Sequence, residues 1–151
     1  MKTARQVLES KPTQAIYSIP PGATVYVALQ LMAEKGIGAL LVIERGESQI
    51  VGILSERDYA RKVILMQRTS RETFVRDIMT SAVIYVRGDQ STDECMALMT
   101  QHRLRHLPVM DGDKLIGMLS IGDLVKDIIS EQRFIIEQLE HYITGSAHPQ
   151  V

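Results

Sequence analysis

The chain has 151 residues, of which 45% are hydrophobic and 23% are charged, and its formal net charge is −1. These values are ordinary for a soluble globular protein of one or two small domains, and the near-zero charge gives no general attraction for nucleic acid or an anionic membrane. The apolar runs are too short for a membrane span, the first residues lack the apolar stretch of a signal peptide, and a single cysteine excludes an internal disulfide framework. We therefore expect a cytoplasmic protein.

The first half of the chain predicts alternating strands and helices. "IYSI" (16–19) predicts a short strand, and "TVYVALQLMAEKG" (24–36) predicts a helix because its apolar residues recur at helical spacing. "ALLVI" (39–43) and "IVGIL" (50–54) flank a turn and predict a hairpin, after which a second helix begins beyond Ser55. The predicted order is β-α-β-β-α.

The second half repeats this order. The strand "VIYV" (83–86) precedes the helix "STDECMALMTQHR" (91–103), for which Ser91 or Thr92 is the expected N-cap, and the strands "HLPVM" and "LIGML" follow. Corresponding residues are 67 positions apart before the hairpin turn and 65 apart after it, since the second turn is shorter. The phrase "GILSERDYA" therefore corresponds to "GMLSIGDLV", which pairs Gly52 with Gly117, Ser55 with Ser120, and Asp58 with Asp123.

Two motifs in the second copy carry a family resemblance. "RLRHLPVMDGDKLIGMLSIGDLV" (103–125) and the preceding "VRDIMTS" (75–81) resemble a CBS domain, and the tandem pair resembles a Bateman module of the stand-alone type. The resemblance covers roughly residues 12–130. It is looser in the first copy, where "GIGALLVI" lacks the histidine and proline of "RHLPVM". It implies an α+β fold in which two β-α-β-β-α repeats pack as one pseudo-two-fold module.

The resemblance also sets the expected boundaries. We expect CBS repeats over 12–66 and 76–130, a helical extension over 131–144, and a disordered tail over 145–151. "VKDIISEQRFIIEQLEHYITG" (125–145) has apolar residues at steps of three and four, which is typical of an amphipathic helix that covers an apolar surface. The family commonly pairs two modules into a four-domain disc, so we expect a homodimer in which this helix takes part.

The resemblance implies an adenosine ligand in the clefts between the repeats. AMP is the first expectation, with NAD(H), ATP or ADP as alternatives. In the family, the residues matching Ser120 and Asp123 contact phosphate and ribose, and Ser55 and Asp58 hold the same positions in the first copy. A carboxylate can accept hydrogen bonds from both ribose hydroxyls, and a helix N-terminus suits a phosphate. The Ser-x-x-Asp spacing is also that of a capping box, and the two interpretations are compatible.

Basic residues distinguish the two copies. In the family, the residues matching Arg105 and His106 often face the nucleotide phosphates, and Arg103 stands just before them; a solvated strand edge is the alternative for both arginines. The first copy has Gly and Ala at these positions, and we expect Arg57 to be the one basic residue near its Ser-x-x-Asp phrase. The second-copy site is therefore expected to take a charged phosphate. The first-copy site would take a less charged ligand, use Arg57 or the second copy, or stay empty.

The remaining candidates have a core role as their alternative. By resemblance Ala23, Ala28 and Ile50 would line the adenine slot of the second-copy site, although each also suits a hydrophobic core. Cys95 occupies the position of Ala28 and is expected to be a small buried side chain. The histidines show no metal-ligand pattern, and no nucleophile stands in a pattern with a base, so we expect neither a metal site nor catalysis.

Two functions fit these observations. The first is a non-catalytic regulatory module that senses energy or redox state by binding an adenine nucleotide. The alternative is a structural or adaptor homodimer that activates or scaffolds a metabolic or redox enzyme and holds its nucleotide constitutively. Neither function requires nucleic acid or a membrane, and a ligand-dependent conformational change distinguishes them.

Overall fold

The protein forms two compact units. The structure is a computed structural model that describes residues 2–13, 15–44 and 49–144. The first unit is Ala15–Tyr85, and the second consists of Val86–Val151 together with Met1–Gln14. The tail that the sequence predicts to be disordered, 145–151, lies outside the described residues. Of the helices that the structure describes, none combines the length and apolarity needed to cross a membrane.

The elements follow the predicted β-α-β-β-α order in each unit. In chain order they are α1 (Ala4–Glu9), β1 (Ser18–Ile19), α2 (Val25–Lys35), β2 (Ala39–Ile43), β3 (Ile50–Ser55), α3 (Glu56–Tyr59), α4 (Val75–Ile78), β4 (Val86–Arg87), α5 (Thr92–His102), β5 (His106–Asp111), β6 (Lys114–Ser120) and α6 (Ile121–Thr144). A π-helical segment, Ala60–Ile64, continues α3. Ser91 is the N-cap of α5, because its hydroxyl accepts the Glu94 N–H at 3.1 Å.

The two sheets have the same topology and register. The first has the order β1-β2-β3 and the second β4-β5-β6, and in each the first pair is parallel and the second antiparallel. Ile19 lies beside Val42, which lies beside Gly52. The same row in the second sheet is Val86, Val109 and Gly117. Each middle strand shifts register directly after its valine. The repeat and the α+β fold predicted from the sequence are therefore confirmed.

In each unit, a short segment packs onto the sheet. We call it the leading segment, because it directly precedes one of the two repeats in the chain. In the second unit this is the N-terminal segment, which we define as residues 2–11: the Ala4 N–H donates to Gln90 O at 2.8 Å, and the Arg5 N–H donates to Gly88 O at 3.0 Å. In the first unit α4 is held in the same way, with the Val75 N–H donating to Ala23 O at 2.8 Å. No pattern in the sequence indicated a structural role for residues 2–11, which belong to the second unit.

Each unit has a buried apolar core between its sheet and helices. In the first unit the core contains Val25, Ala28, Met32, Leu40, Val42, Leu54, Val63 and Val75. In the second unit the fully or almost fully buried side chains include Ala4, Val7, Cys95, Met99, Leu107, Val109, Leu119 and Leu124. Cys95 is completely buried, as its match to Ala28 predicts. Burial and then the charge of Glu94 raise the pKa of the Cys95 thiol, which keeps it protonated and unreactive.

Candidate functional site

The second Ser-x-x-Asp phrase joins the end of β6 to the start of α6. The Asp123 N–H donates to the Ser120 hydroxyl at 3.1 Å, and the Ser120 N–H donates to Asp123 Oδ2 at 2.8 Å. This is the reciprocal pair of a capping box, which satisfies two backbone donors at the start of a 24-residue helix. The serine and the carboxylate therefore have fixed positions at a helix N-terminus.

The first phrase repeats this geometry at the start of α3. The Asp58 N–H donates to the Ser55 hydroxyl at 3.3 Å, and the Ser55 N–H donates to Asp58 Oδ2 at 2.9 Å. The Ser55 hydroxyl also donates to Asp58 Oδ2 at 3.1 Å. The capping interpretation is confirmed in both copies. The ligand role assigned to these four residues remains compatible with it, because an ionised carboxylate has about four acceptor positions.

Two lysines that sequence analysis did not assign hold these carboxylates. Lys11 Nζ lies 3.1 Å from Asp123 Oδ2 and donates to Met118 O at 3.0 Å. Lys62 Nζ lies 3.2 Å from Asp58 Oδ1 and donates to Ile78 O at 2.9 Å. The expectation that Arg57 is the one basic residue near the first phrase is therefore wrong.

Residue spacing could have predicted one of these two lysine–aspartate pairs but not the other. Lys62 stands four residues after Asp58, so the ordinary spacing of helical ion pairs could have identified it. Lys11 lies more than a hundred residues from Asp123 in the sequence. It reaches that carboxylate only because the N-terminal segment packs onto the second unit.

The basic strand of the second copy begins beside its capping box. His106 pairs with Ser120 in the β5–β6 register, and Arg105 O accepts the Ile121 N–H at 2.8 Å. Burial lowers the pKa of His106; the charge of Asp123 opposes this, and the positive charges of Lys11 and Arg105 add to the lowering. His106 is therefore neutral at neutral pH and able to act as a hydrogen-bond donor and acceptor. Corresponding positions in the first unit are Gly38, whose O accepts the Glu56 N–H, and Ala39.

The two other candidate arginines occupy different environments. Arg57 is exposed on α3. Arg103 is the C-cap of α5 and has a left-handed backbone, with φ of 55°. Gly36 occupies the same position after α2, with φ of 65°. The strand-edge alternative for Arg103 is therefore wrong, and an arginine stands where the backbone favours glycine.

Three small or apolar candidates belong to the first unit. Ala28 is completely buried in its core, and Ala23 packs against that core. Ile50 is partly buried at the start of β3, opposite Ile43. Packing explains their positions, and the adenine contact assigned to them stays a prediction.

The repeated glycines make room for the chain itself. A glycine three residues before the serine in each copy predicts that a ligand approaches closely at Gly52 and Gly117. A Cβ atom on Gly52 would lie 2.6 Å from the Met79 sulfur, and one on Gly117 would lie 2.8 Å from Leu8 Cδ1. The spaces that these glycines leave are filled by side chains of the leading segments, so the ligand interpretation of the glycines is wrong.

Two repeated units with one register and one Ser–Asp cap apiece define a tandem-repeat α+β module. The CBS-domain family model matches residues 4–65 and 75–130, and the chain belongs to that family. The first matched range includes α1, which the resemblance alone had left outside the repeats. In the part of the chain that the structure describes, no cluster of three or more histidine, cysteine or acidic side chains could hold a metal ion.

Three similar proteins illustrate the relationship. The chain is 43% identical over 125 residues to the CBS domain-containing protein CBSX3, mitochondrial, of Arabidopsis thaliana; the match covers 81% of this chain and 61% of that relative, so the chain spans about three-fifths of its length. A CBS-domain protein from Burkholderia ambifaria MC40-6 has a structure with a TM-score of 0.83 and 58% identity, covering 87% of this chain and 96% of that one. The structure of CBSX2 in complex with AMP has a TM-score of 0.70 and 27% identity, covering 87% of this chain and 99% of that one.

Proposed function

We propose that this protein is a non-catalytic regulatory module that binds an adenine nucleotide at Asp123. AMP is the expected ligand, and ATP, ADP and NAD(H) compete with it. The observation that carries the proposal is the Asp123 carboxylate, fixed at a helix N-terminus beside His106 and Arg105. The likeness to CBSX2, whose structure is a complex with AMP, supports the choice of ligand.

The chemistry of the second-unit site suits a ribose phosphate. The Asp123 carboxylate accepts hydrogen bonds from the ribose 2′ and 3′ hydroxyls. The Ser120 hydroxyl and the guanidinium groups of Arg105 and Arg103 provide donors for a phosphate. Neutral His106 adds a donor without requiring a charged partner. Ala23, Ala28 and Ile50 remain the proposed adenine contacts.

The first-unit site has the carboxylate without the basic strand. Asp58 and Ser55 repeat the cap, but Gly38 and Ala39 replace the arginine and histidine. We therefore assign the phosphorylated ligand to the second unit. Arg57, exposed nearby, is the arginine that the first-unit site offers.

The long α6 helix supports a role in partner binding as well. Its last turns carry large apolar side chains that are exposed in the single chain: Phe134, Ile135, Ile136, Leu139, Tyr142 and Ile143. An apolar stripe of this kind on a soluble helix marks an interaction surface. We propose that a second copy of this chain covers it, which gives a four-CBS homodimer.

The alternative function is an adaptor homodimer that activates or scaffolds a metabolic or redox enzyme with its nucleotide always bound. The exposed α6 surface is the observation that favours it. A cytoplasmic location remains our prediction, although one relative is named as mitochondrial. Limited proteolysis with and without AMP separates the two functions, because only a sensor changes its cleavage pattern.

Calorimetry with AMP and adenosine tests the nucleotide site. Asp123→Asn keeps the size of the side chain but removes the charge that accepts the ribose hydroxyls, so AMP affinity should fall about tenfold or more. Asp58→Asn is the matched control and should have a smaller effect. The absence of both calorimetric heat and a melting shift with any adenine nucleotide at millimolar concentration would falsify the proposed function, since ligand at a hundred times its Kd adds about 2.7 kcal/mol of stability.

A further inference from the structure

The lysines that hold the two Ser-x-x-Asp carboxylates approach different oxygens. Lys11 Nζ lies 3.1 Å from Asp123 Oδ2, the same oxygen that accepts the serine N–H. Lys62 Nζ lies 3.2 Å from Asp58 Oδ1, whereas Oδ2 of Asp58 accepts the serine N–H and hydroxyl. Among the described residues, the partners of Asp123 therefore all use one oxygen, and those of Asp58 engage both.

This difference decides how much of each carboxylate a ribose can use. A ribose diol offers two donors, and a carboxylate offers about four acceptor positions, two on each oxygen. At Asp123 the serine N–H and the lysine share one oxygen, and the other oxygen faces no described partner. At Asp58 the serine occupies Oδ2, and Lys62 contacts Oδ1, the oxygen that a diol would need. The side chain of Asp58 is also the less exposed of the two, at 15% against 22% for Asp123.

The two lysines come from different parts of the chain because the position of Lys62 carries an acidic residue in the second repeat. The residue that corresponds to Lys62 in the second repeat is Asp127. Its side chain is only 3% exposed, and Lys2 Nζ lies 2.9 Å from its Oδ1. Asp127 follows Asp123 by four residues on α6, a spacing at which like charges repel. The second unit therefore needs two cations from elsewhere, and the N-terminal segment provides both.

Three ion pairs between described residues hold the N-terminal segment to the rest of the second unit. These are Lys2 with Asp127, Arg5 with Asp111, and Lys11 with Asp123. The Arg5 pair is exposed on both sides, so its contribution is small. Of these three cations, Lys11 contacts Asp123, the carboxylate that we propose binds the ribose.

We propose that the two lysines select which site takes the nucleotide. Lys11 is a positioning residue: it fixes Asp123 through the oxygen shared with the serine N–H and leaves the other oxygen for the ribose. Lys62 covers the corresponding oxygen of Asp58 and closes the first-unit site. The inference rests on the proposed function, and it predicts one AMP per chain, bound through Asp123.

Opening the first-unit site is the sharpest test. Lys62→Met keeps the length of the side chain and removes the ammonium group, so calorimetry with adenosine, which needs none of the phosphate donors that the first unit lacks, should show a second binding event per chain. Adding Asp58→Asn to Lys62→Met should abolish that second event and leave the first. A Lys62→Met variant that binds one adenosine as the wild type does would overturn the closing role of Lys62.

Weakening the second-unit site tests the positioning role. Lys11→Met should lower the affinity for AMP and for adenosine by the same factor, about tenfold, because the lysine acts through the ribose carboxylate. Lys11→Arg keeps the charge and should restore most of the affinity. Arg5→Met removes a cation from the same segment without touching Asp123, and it should bind as the wild type does. Melting curves of all variants establish that they are folded.

The outcomes separate this inference from the proposed function. If the wild type binds no adenine nucleotide, both are wrong. If the wild type binds and Asp123→Asn does not, the proposed function stands; a Lys11→Met variant with unchanged or higher affinity then overturns the positioning role. A loss confined to AMP, with adenosine unaffected, would also overturn it, because it would show that Lys11 contacts the phosphate directly. Two AMP molecules bound per wild-type chain would overturn the selection of one site.

Discussion

Leu8 packs so closely on Gly117 that a Cβ atom on the glycine would lie 2.8 Å from Leu8 Cδ1. Leu8 belongs to α1 and is almost completely buried, and Gly117 lies in the middle of β6. Met79 stands against Gly52 in the same relationship, just after α4. The glycine that is repeated in the two sheets therefore lies where Leu8 of α1, or Met79 just after α4, packs on the strand.

Gly117→Ala should destabilise the protein by about 1–3 kcal/mol, because the added methyl group overlaps a buried leucine that has little space to move. Chemical denaturation measures the change. Gly122→Ala is the control: the nearest atom to its new Cβ is Ser120 Oγ at 3.6 Å, and alanine suits the α6 helix better than glycine. An unchanged midpoint for Gly117→Ala would show that Leu8 does not dock as the structure has it.

Arg103→Gly should raise stability and weaken nucleotide binding at the same time. The left-handed backbone of Arg103 costs a non-glycine residue about 1 kcal/mol, which glycine relieves. The guanidinium group is lost, so AMP affinity should fall while adenosine affinity changes little. Arg103→Ala keeps the backbone cost and should show the same binding loss without the gain in stability. If both variants bind AMP as the wild type does, Arg103 has no part in the site.

Acidification should destabilise the second unit through His106. Burial lowers the pKa of His106 in the folded protein below the unfolded value of about 6.5, despite the opposing charge of Asp123. As the pH falls below 6.5, the unfolded state takes up the proton first, so the free energy of unfolding decreases until the folded pKa is passed. Denaturation curves between pH 7.5 and about pH 5 follow this loss.

His106→Gln is the comparison for this pH effect. Glutamine keeps hydrogen-bonding groups but does not titrate, so the variant should lose less stability than the wild type over the same pH range. His102, exposed near the end of α5, provides a control substitution to the same residue. Equal pH slopes for the wild type and His106→Gln would contradict the assignment.

The repeat made much of the fold predictable from sequence. At an offset of 67 residues, Ile19 corresponds to Val86 and Val42 corresponds to Val109. The residues of each pair occupy equivalent positions in the two sheets. Periodicity also identified α2 and α5, because each has one buried apolar face. Such features are local, or they are copied from one half of the chain to the other.

The contacts of the N-terminal segment were not predictable in the same way. Residues 4–10 match 75–81 at an offset of 71, a weak signal in a short stretch whose partner is remote in sequence. The Lys11–Asp123 pair and the Leu8–Gly117 contact depend on that docking, so neither spacing nor composition indicated them. The role of the repeated glycines was misjudged for the same reason: the residue that fills the space is distant in the chain.

The α6 surface should hold two copies of the chain together. Leu139 is 56% exposed within an apolar stripe on a 24-residue helix, and a stable dimer needs roughly 800 Å² buried on each partner. Leu139→Lys places an uncompensated charge in that interface and should raise the dimer dissociation constant by about tenfold or more. Gln138→Lys adds the same charge on the neighbouring exposed position and should leave the dimer intact. Light scattering on the wild type should give twice the 16.9 kDa mass of one chain, falling toward one chain for Leu139→Lys alone; a monomeric wild type would contradict the proposed homodimer.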